Sequence, residues 1–213
     1  MVPNIKSALR LAGMRPVPRW PARTHQDLRG KRILVTGAST GIGAVAAEKL
    51  AAEGATVIVL ARRKDLLAEI VGRITAHGGT ASAVAADLSD LDQADTVVER
   101  VGPVDVLVNN AARSIRRPLS ESLERWHDIE RVMALNYYAP LRLIRGFAPG
   151  MIERGDGHII NVATWRVLPE SSPMFAAYNA SKAALSAVSR VIETEWGKAG
   201  GPPPSITPWW RRR

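Results

Sequence analysis

Thr36-Gly37-Ala38-Ser39-Thr40-Gly41-Ile42-Gly43 follows a short β-branched run, Arg32–Thr36, and leads into the Ala-rich stretch Ile42–Ala52. The order is strand, glycine-rich turn, helix. Glycines let the backbone turn tightly and come close to a bound group. The helix that begins there offers unpaired N–H groups and the positive end of its dipole, a ready site for an anion. The G-x-x-x-G-x-G spacing is a variant of the dinucleotide fingerprint, in which a pyrophosphate rests on the turn. Such a turn alone is more often structural. Its position at the head of an alternating chain gives it meaning here.

From Lys31 onward, short apolar runs alternate with helical ones. The strands predicted are Arg32–Thr36, Thr56–Leu60, Ser82–Ala86, Val104–Asn109 and His158–Ala163. The helices predicted are Ile42–Ala52, Lys64–Ala76, Leu91–Val101, an interrupted Leu119–Arg154, and Met174–Gly197. Nearly continuous apolar strands separated by helices indicate a parallel sheet covered on both faces. The expected fold is therefore a doubly wound α/β domain of Rossmann type. It should occupy residues 30–199, between a basic, Pro-rich extension (1–29, with one short helix near Ile5–Leu11) and an atypical tail (200–213).

With 213 residues and 46% hydrophobic content the chain can bury a sizeable core. Its longest apolar runs, Thr56–Ala61 and Val104–Val108, have strand length, far short of a membrane span. There is no cysteine, hence no disulfide framework and no thiolate ligand, which fits a cytoplasmic protein. His25, His77, His127 and His158 show no ligand spacing, so no metal is expected. The net charge of +9 invites a nucleic-acid reading, but the charge lies at the ends. Residues 1–32 hold eight Lys and Arg against Asp27 alone, and Arg211, Arg212 and Arg213 close the chain. The middle is nearly neutral, so nucleic acid is not an expected partner and membrane contact is at most peripheral.

The second strand ends Val59-Leu60-Ala61-Arg62-Arg63, with no acid before Asp65. An acidic residue at this place suits the ribose diol of NAD, whereas arginine suits a 2′-phosphate. NADP(H) is favoured and NAD stays open; the plainer alternative is that these arginines begin a solvated helix face. Further on, Tyr178 and Lys182 are four residues apart in Y-N-A-S-K, so both leave one helix face. A nearby ammonium favours the phenolate by Coulomb attraction. Such a tyrosine can hand a proton to an alkoxide forming from a carbonyl, or take one from an alcohol.

These residues together resemble the short-chain dehydrogenase/reductase family. The motifs are T-G-A-S-T-G-I-G at 36–43, Asp87-Leu88, Asn109-Asn110-Ala111-Ala112, Asn136 in L-N-Y-Y, N-V-A-T at 161–164 and Tyr178-N-A-S-Lys182. They cover residues 31 to about 198 in family order. Within the family, N-A-A-R-S-I-R-R (110–117) resembles the reductase domain of bacterial fatty acyl-CoA reductases. The resemblance implies cofactor contacts from Gly37, Ser39, Thr40, Gly41, Ile42, Gly43, Arg62, Arg63, Asp87, Leu88, Asn109 and Ala111. Asp87 would bond near the adenine, and Asn109 would steady the fourth strand's end. Asn136 would hold a water in a proton relay with Lys182, and Lys182 would also bind the nicotinamide ribose. Tyr178 would be the general acid for reduction or the base for oxidation. Thr164 stands where the family usually has Ser; its hydroxyl can make the same bond, with a stiffer χ1. The interval from Thr164 to Tyr178 is one residue longer than the commonest spacing, which the loop Trp165–Phe175 must absorb. Arg113, Arg116 and Arg117 could meet an acidic substrate group such as a CoA phosphate; a solvated loop or a subunit contact is the plainer alternative.

The implied activity is hydride transfer between NADP(H) and a small-molecule carbonyl/alcohol pair, lipid-derived by best fit, in a homo-oligomer. The alternatives are a catalytically silent dinucleotide-binding protein and a binder of anionic surfaces or nucleic acid driven by the basic ends. The tail Gly200-Gly-Pro-Pro-Pro-Ser-Ile-Thr-Pro-Trp-Trp-Arg-Arg-Arg reads as a poor central strand. A shifted reading frame there permits S-T-T-L-Y-Y-P-L-V-A-T-P, an apolar strand followed by P-x-V-x-T, as in the family's next loop. The expectation is a frameshift near Gly200, a sheet lacking its last strands, and the fifth strand left as an exposed edge. The encoding DNA would test it.

Overall fold

The computed structural model describes residues 27–167 and 173–196, with the backbone of residues 205–208. The helix expected near Ile5–Leu11 and most of the tail lie outside these residues. Strands β1 (Arg32–Thr36), β2 (Thr56–Ala61), β3 (Thr80–Ala85), β4 (Val106–Asn109), β5 (His158–Asn161) and β6 (Ser205–Pro208) form one parallel sheet. Their order is β3-β2-β1-β4-β5-β6. Helices α1 (Gly41–Ala52), α2 (Lys64–Ala76), α3 (Leu91–Val101), α4 (Trp126–Met133), α5 (Ala139–Arg154) and α6 (Ala176–Trp196) complete the described elements.

Alternation along each strand divides the core into two layers. Ile33 and Val35 of β1 join Val57 and Val59 of β2 under α1 and α2, where Leu67, Ile70 and Ile74 are buried. Leu34 faces the other way, with Leu107 and Ile159, onto Leu143, Phe147 and Met151 of α5. Each of these large side chains contributes on the order of 1.5–3 kcal/mol through its burial. On the first face α1 presents Ala44, Ala47 and Ala51, side chains short enough to bring the helix close to β1.

Several boundaries depart from the sequence pattern: β5 stops at Asn161 rather than Ala163, and α6 begins at Ala176 rather than Met174. β3 begins at Thr80, directly after Gly78-Gly79, rather than at Ser82, and β4 begins at Val106 because Gly102-Pro103 still shape the approach to it. The stretch Leu119–Arg154 is divided: a 3₁₀ turn (Leu119–Ser122), then α4, a π-turn (Ala134–Tyr138) and α5. The π-turn widens the helix without ending it, and it carries Asn136.

One expectation is overturned. β5 is not an open edge, because β6 pairs along it in parallel, from His158↔Ser205 to Asn161↔Pro208. The prolines flank this strand or close it instead of interrupting its ladder, and β6 itself lies at the edge, where proline is tolerated. Among the described residues no helix is long and apolar enough to cross a membrane. The strand order reverses between β1 and β4, and the carboxyl ends of an open parallel sheet part at such a point.

Candidate active site

The glycine turn is tied to the β4 end by two side chains. Thr36 Oγ1 donates to the Val108 carbonyl (3.2 Å) and accepts from the backbone N–H groups of Asn110 and Ala111 (both 3.0 Å). Asn110 Nδ2 donates back to the carbonyls of Thr36 (2.9 Å) and Gly37 (3.2 Å). Packing here leaves no room for a side chain. Gly37 has φ +66°, and a Cβ on it would stand 2.8 Å from Ala111 Cα. A Cβ on Gly43 would overlap the Gly37 carbonyl oxygen and lie 2.6 Å from Asn110 Nδ2. Gly43→Ala is therefore expected to cost about 1–3 kcal/mol by overpacking, measured by urea denaturation, and to weaken nucleotide binding. Unchanged stability would show that the turn is looser than this.

A cleft of about 340 Å³ opens at the carboxyl ends of β1, β2 and β4. Gly37, Ser39 and Thr40 line it from the turn, Arg62 and Arg63 from the β2 end, Asp87 and Leu88 from beyond β3, and Ala111 from the β4 end. Gly41, Ile42 and Gly43 form the first turn of α1 beside it. A turn closely packed at Gly37 and Gly43, at a helix N-terminus in a cleft lined by two guanidiniums, fits a dinucleotide with a phosphorylated ribose.

The two arginines are not equivalent. Arg62 Nη1 lies 3.7 Å from Asp87 Oδ2, whereas among the described residues Arg63 has no ion pair. Burial pushes the Asp87 pKa up. The Ser89 hydroxyl (2.6 Å) and backbone N–H (2.9 Å), with Arg62 and Arg113, outweigh it and hold the carboxyl below its ordinary value. Asp87 is thus ionised and structurally engaged at neutral pH.

The remaining candidate residues sit on the next elements. Asn109 is buried and donates from Nδ2 to Asn161 Oδ1 (2.9 Å); Asn161 in turn donates to Ser189 Oγ of α6 (2.9 Å). This ladder joins β4, β5 and α6 through the core. Asn136, fully buried, accepts from Arg113 N–H (2.8 Å) and donates to the Arg113 carbonyl (2.9 Å) and Ser181 Oγ (3.0 Å). Both its amide hydrogens are spent. On that side chain only the oxygen can still take part in the water relay implied for it, by accepting. One side chain braces the cleft wall against the helix that carries Tyr178 and Lys182.

Lys182 is 2% exposed and its Nζ donates to the Val162 carbonyl (2.7 Å). Burial lowers its pKa from 10.5 to about 8, so it is still mainly charged at pH 7. Two residues past that carbonyl, Thr164 Oγ1 accepts from Arg166 N–H (3.3 Å), leaving its own O–H to donate elsewhere. The Arg166 guanidinium lies 4.3 Å from the Phe175 ring centre, and Phe175 meets Tyr178 edge-on at 6.4 Å. This stack holds the start of α6 against the loop carrying Thr164. Pattern reading quoted Asn110, Asn161 and Ser181 within motifs but gave them no role, and it missed Ser189. The available signal was polar residues on the buried face of α6, where Ser181, Ser186 and Ser189 interleave with Leu185 and Ile192.

A family model described as short chain dehydrogenase matches residues 31–201. A fatty acyl-CoA reductase of Mycobacterium tuberculosis is 64% identical over 200 residues, 89% of this chain and 68% of that protein. A fatty acyl-CoA reductase of Acinetobacter baylyi is 44% identical over 175 residues, 80% of this chain and 59% of that one. Each of these curated relatives is thus longer than the part this chain matches. Among solved structures, a metagenomic short-chain oxidoreductase in complex with NADP superposes with a TM-score of 0.75 at 36% identity, covering 81% of this chain and 79% of that one. Matched motif for motif and across its sheet, the chain belongs to the short-chain dehydrogenase family.

Proposed function

We propose that the chain is an NADP-preferring reductase that interconverts a carbonyl and an alcohol on a lipid-derived substrate. The observation that carries this is the cleft with Arg62 and Arg63 at its β2 end, braced through Asn136 to the helix of Tyr178 and Lys182. The likeness to two fatty acyl-CoA reductases supports the substrate class, and the NADP complex of a solved relative supports the cofactor. When bound, the dinucleotide supplies the hydride that adds to the carbonyl carbon. Thr164 donates its hydroxyl hydrogen to the carbonyl oxygen and fixes its position. Tyr178 delivers the proton that the oxygen needs as it becomes an alcohol. Lys182 would supply the positive charge that favours the Tyr178 phenolate, and the N–H groups not given to the Val162 carbonyl would meet the ribose. Asn109 and Asn136 act as positioning residues.

The test is NADPH consumption with a panel of long-chain aldehydes and acyl-CoA thioesters. Turnover that rises with chain length is expected; nucleotide binding with no turnover across the panel would sink the proposal. A second expectation concerns the cofactor. Replacing Arg62 and Arg63 together by Ala should raise the NADPH Kd by about 10–100-fold, the loss of charge-assisted pairs, and leave NADH nearly unaffected. An equal loss for both nucleotides would remove the 2′-phosphate role. We assign the working form to a homo-oligomer. Exposed Trp126 (64%), Tyr138 (46%) and Val191 (52%) on and beside α4 and α6 support it; light scattering that shows only monomer would refute it.

A further inference from the structure

Arg113 plays no part in the chemistry above, yet it is held with unusual care. Its side chain lines the same cleft as Gly37, Ser39 and Arg62. Its backbone is fixed from both sides by one buried amide, Asn136, which accepts from the Arg113 N–H and donates to the Arg113 carbonyl. That amide is also bonded to Ser181 of α6, so the bracket cannot swing away without disturbing the helix. Two residues earlier, Ala111 packs directly on Gly37, close enough to exclude a Cβ there. Arg113 therefore stands on the β4 wall of the cleft, two residues beyond the contact of Ala111 with the glycine turn. Its charge is felt at Asp87. Among the described residues no carboxylate forms an ion pair with Arg113, whereas Arg62, Arg117 and Arg125 are each paired. A half-buried guanidinium on a fixed backbone, offset only at a distance by Asp87, which Arg62 also meets, has donors left for an anion.

Three anions could serve: the 2′-phosphate, a substrate phosphate or the pyrophosphate. The 2′-phosphate already has Arg62 and Arg63 at the β2 end, on the far side of β1. A substrate phosphate would need Arg113 to face away from the nucleotide cleft that it lines. We propose that Arg113 grips the pyrophosphate of the bound dinucleotide from the wall opposite the glycine turn. The turn contributes backbone N–H groups from one side and Arg113 the compensating charge from the other. This rests on the dinucleotide reading, and it gives the arginines separate roles. Arg113 binds either nucleotide, and Arg62 with Arg63 sort NADP from NAD.

The experiment is nucleotide titration by fluorescence, without substrate, on the full chain and on its Arg113→Ala and Arg113→Lys variants. Thermal melts of each without nucleotide serve as the folding control. Arg113→Ala should raise the Kd of NADPH and NADH by the same factor, about tenfold or more for a charge-assisted pair. It should also reduce the salt dependence of binding, and Arg113→Lys should recover part of the affinity. Affinities within twofold of the parent chain would overturn the proposal. So would a loss confined to NADPH, or normal binding with a raised KM for an acyl substrate. A parent chain that binds neither nucleotide would instead sink the proposed function itself. If Arg113→Ala melts early, the lysine variant decides: full loss of affinity at normal stability contradicts a charge contact, and partial recovery supports it.

Discussion

Replacing Tyr178 by Phe is expected to lower kcat by about 10²–10⁴-fold while leaving the nucleotide Kd within about threefold of the parent chain. The exchange removes one hydroxyl and little else. The ring's edge contact with Phe175 survives, and so does the helix start, where Asn179 N–H donates to the Phe175 carbonyl (2.8 Å). Ser181 Oγ bonds the backbone carbonyl of residue 178, not its side chain. Thr164 would still polarise a substrate carbonyl, but no acid would stand ready to protonate the oxygen. The check is a steady-state comparison with a long-chain aldehyde, paired with a nucleotide titration. A variant keeping more than about a tenth of the activity would mean that Tyr178 is not the acid.

What the sequence made legible was whatever local pattern records. The turn at 36–43 was legible because strand, glycines and helix are contiguous, and the sheet because each strand carries its own apolar run. That Tyr178 and Lys182 share one helix was legible from the local pattern around Y-N-A-S-K. Long-range ties left no local trace. Asn110 reaches Thr36, 74 residues away, and Asn136 reaches Arg113 and Ser181, 23 and 45 residues away. In the sequence each is a polar residue beside an apolar run, equally suited to a surface. Arg62 and Arg63 look interchangeable until Asp87 engages one of them. β6 was misread for a related reason. Its prolines were weighed as though they stood mid-strand in a central position, whereas the ladder uses Ser205–Pro208 at an edge.

The same layout explains why the site holds a stable shape. Arg113 on the cleft wall, Asn136 in the π-turn and Ser181 on α6 form one connected bracket. Asn109, Asn161 and Ser189 form a second beneath it. Buried polar networks of this kind fix one arrangement of neighbouring elements more sharply than apolar packing does; in the first both Asn136 amide hydrogens are engaged, while in the second Asn109 Oδ1 is left without a partner. The cleft and the helix that carries Tyr178 and Lys182 are thereby held in register by buried polar side chains.

Lys182 is where function and stability oppose each other most strongly. Its folded pKa of about 8 lies below its ordinary 10.5, so the native state binds fewer protons than the unfolded chain between those values. Below pH 8 the lysine is charged in both states, and burying that charge destabilises the fold by about 3 kcal/mol. The penalty shrinks as pH rises through 8 and is nearly gone by 10.5, so stability should increase across that window. Lys182→Met removes the charge and keeps the volume, at the expense of the Val162 hydrogen bond, worth about 1 kcal/mol. The variant should therefore be more stable than the parent chain by about 2 kcal/mol at pH 7, with that advantage gone near pH 10. It should also be nearly inactive, because the cation proposed to assist Tyr178 and to hold the ribose is lost. Urea denaturation of both chains without nucleotide at the two pH values reads the first effect, and an aldehyde assay the second. A methionine variant that is less stable at pH 7, or equally stabilised at both pH values, would show that the buried ammonium costs the fold nothing and is compensated within the protein.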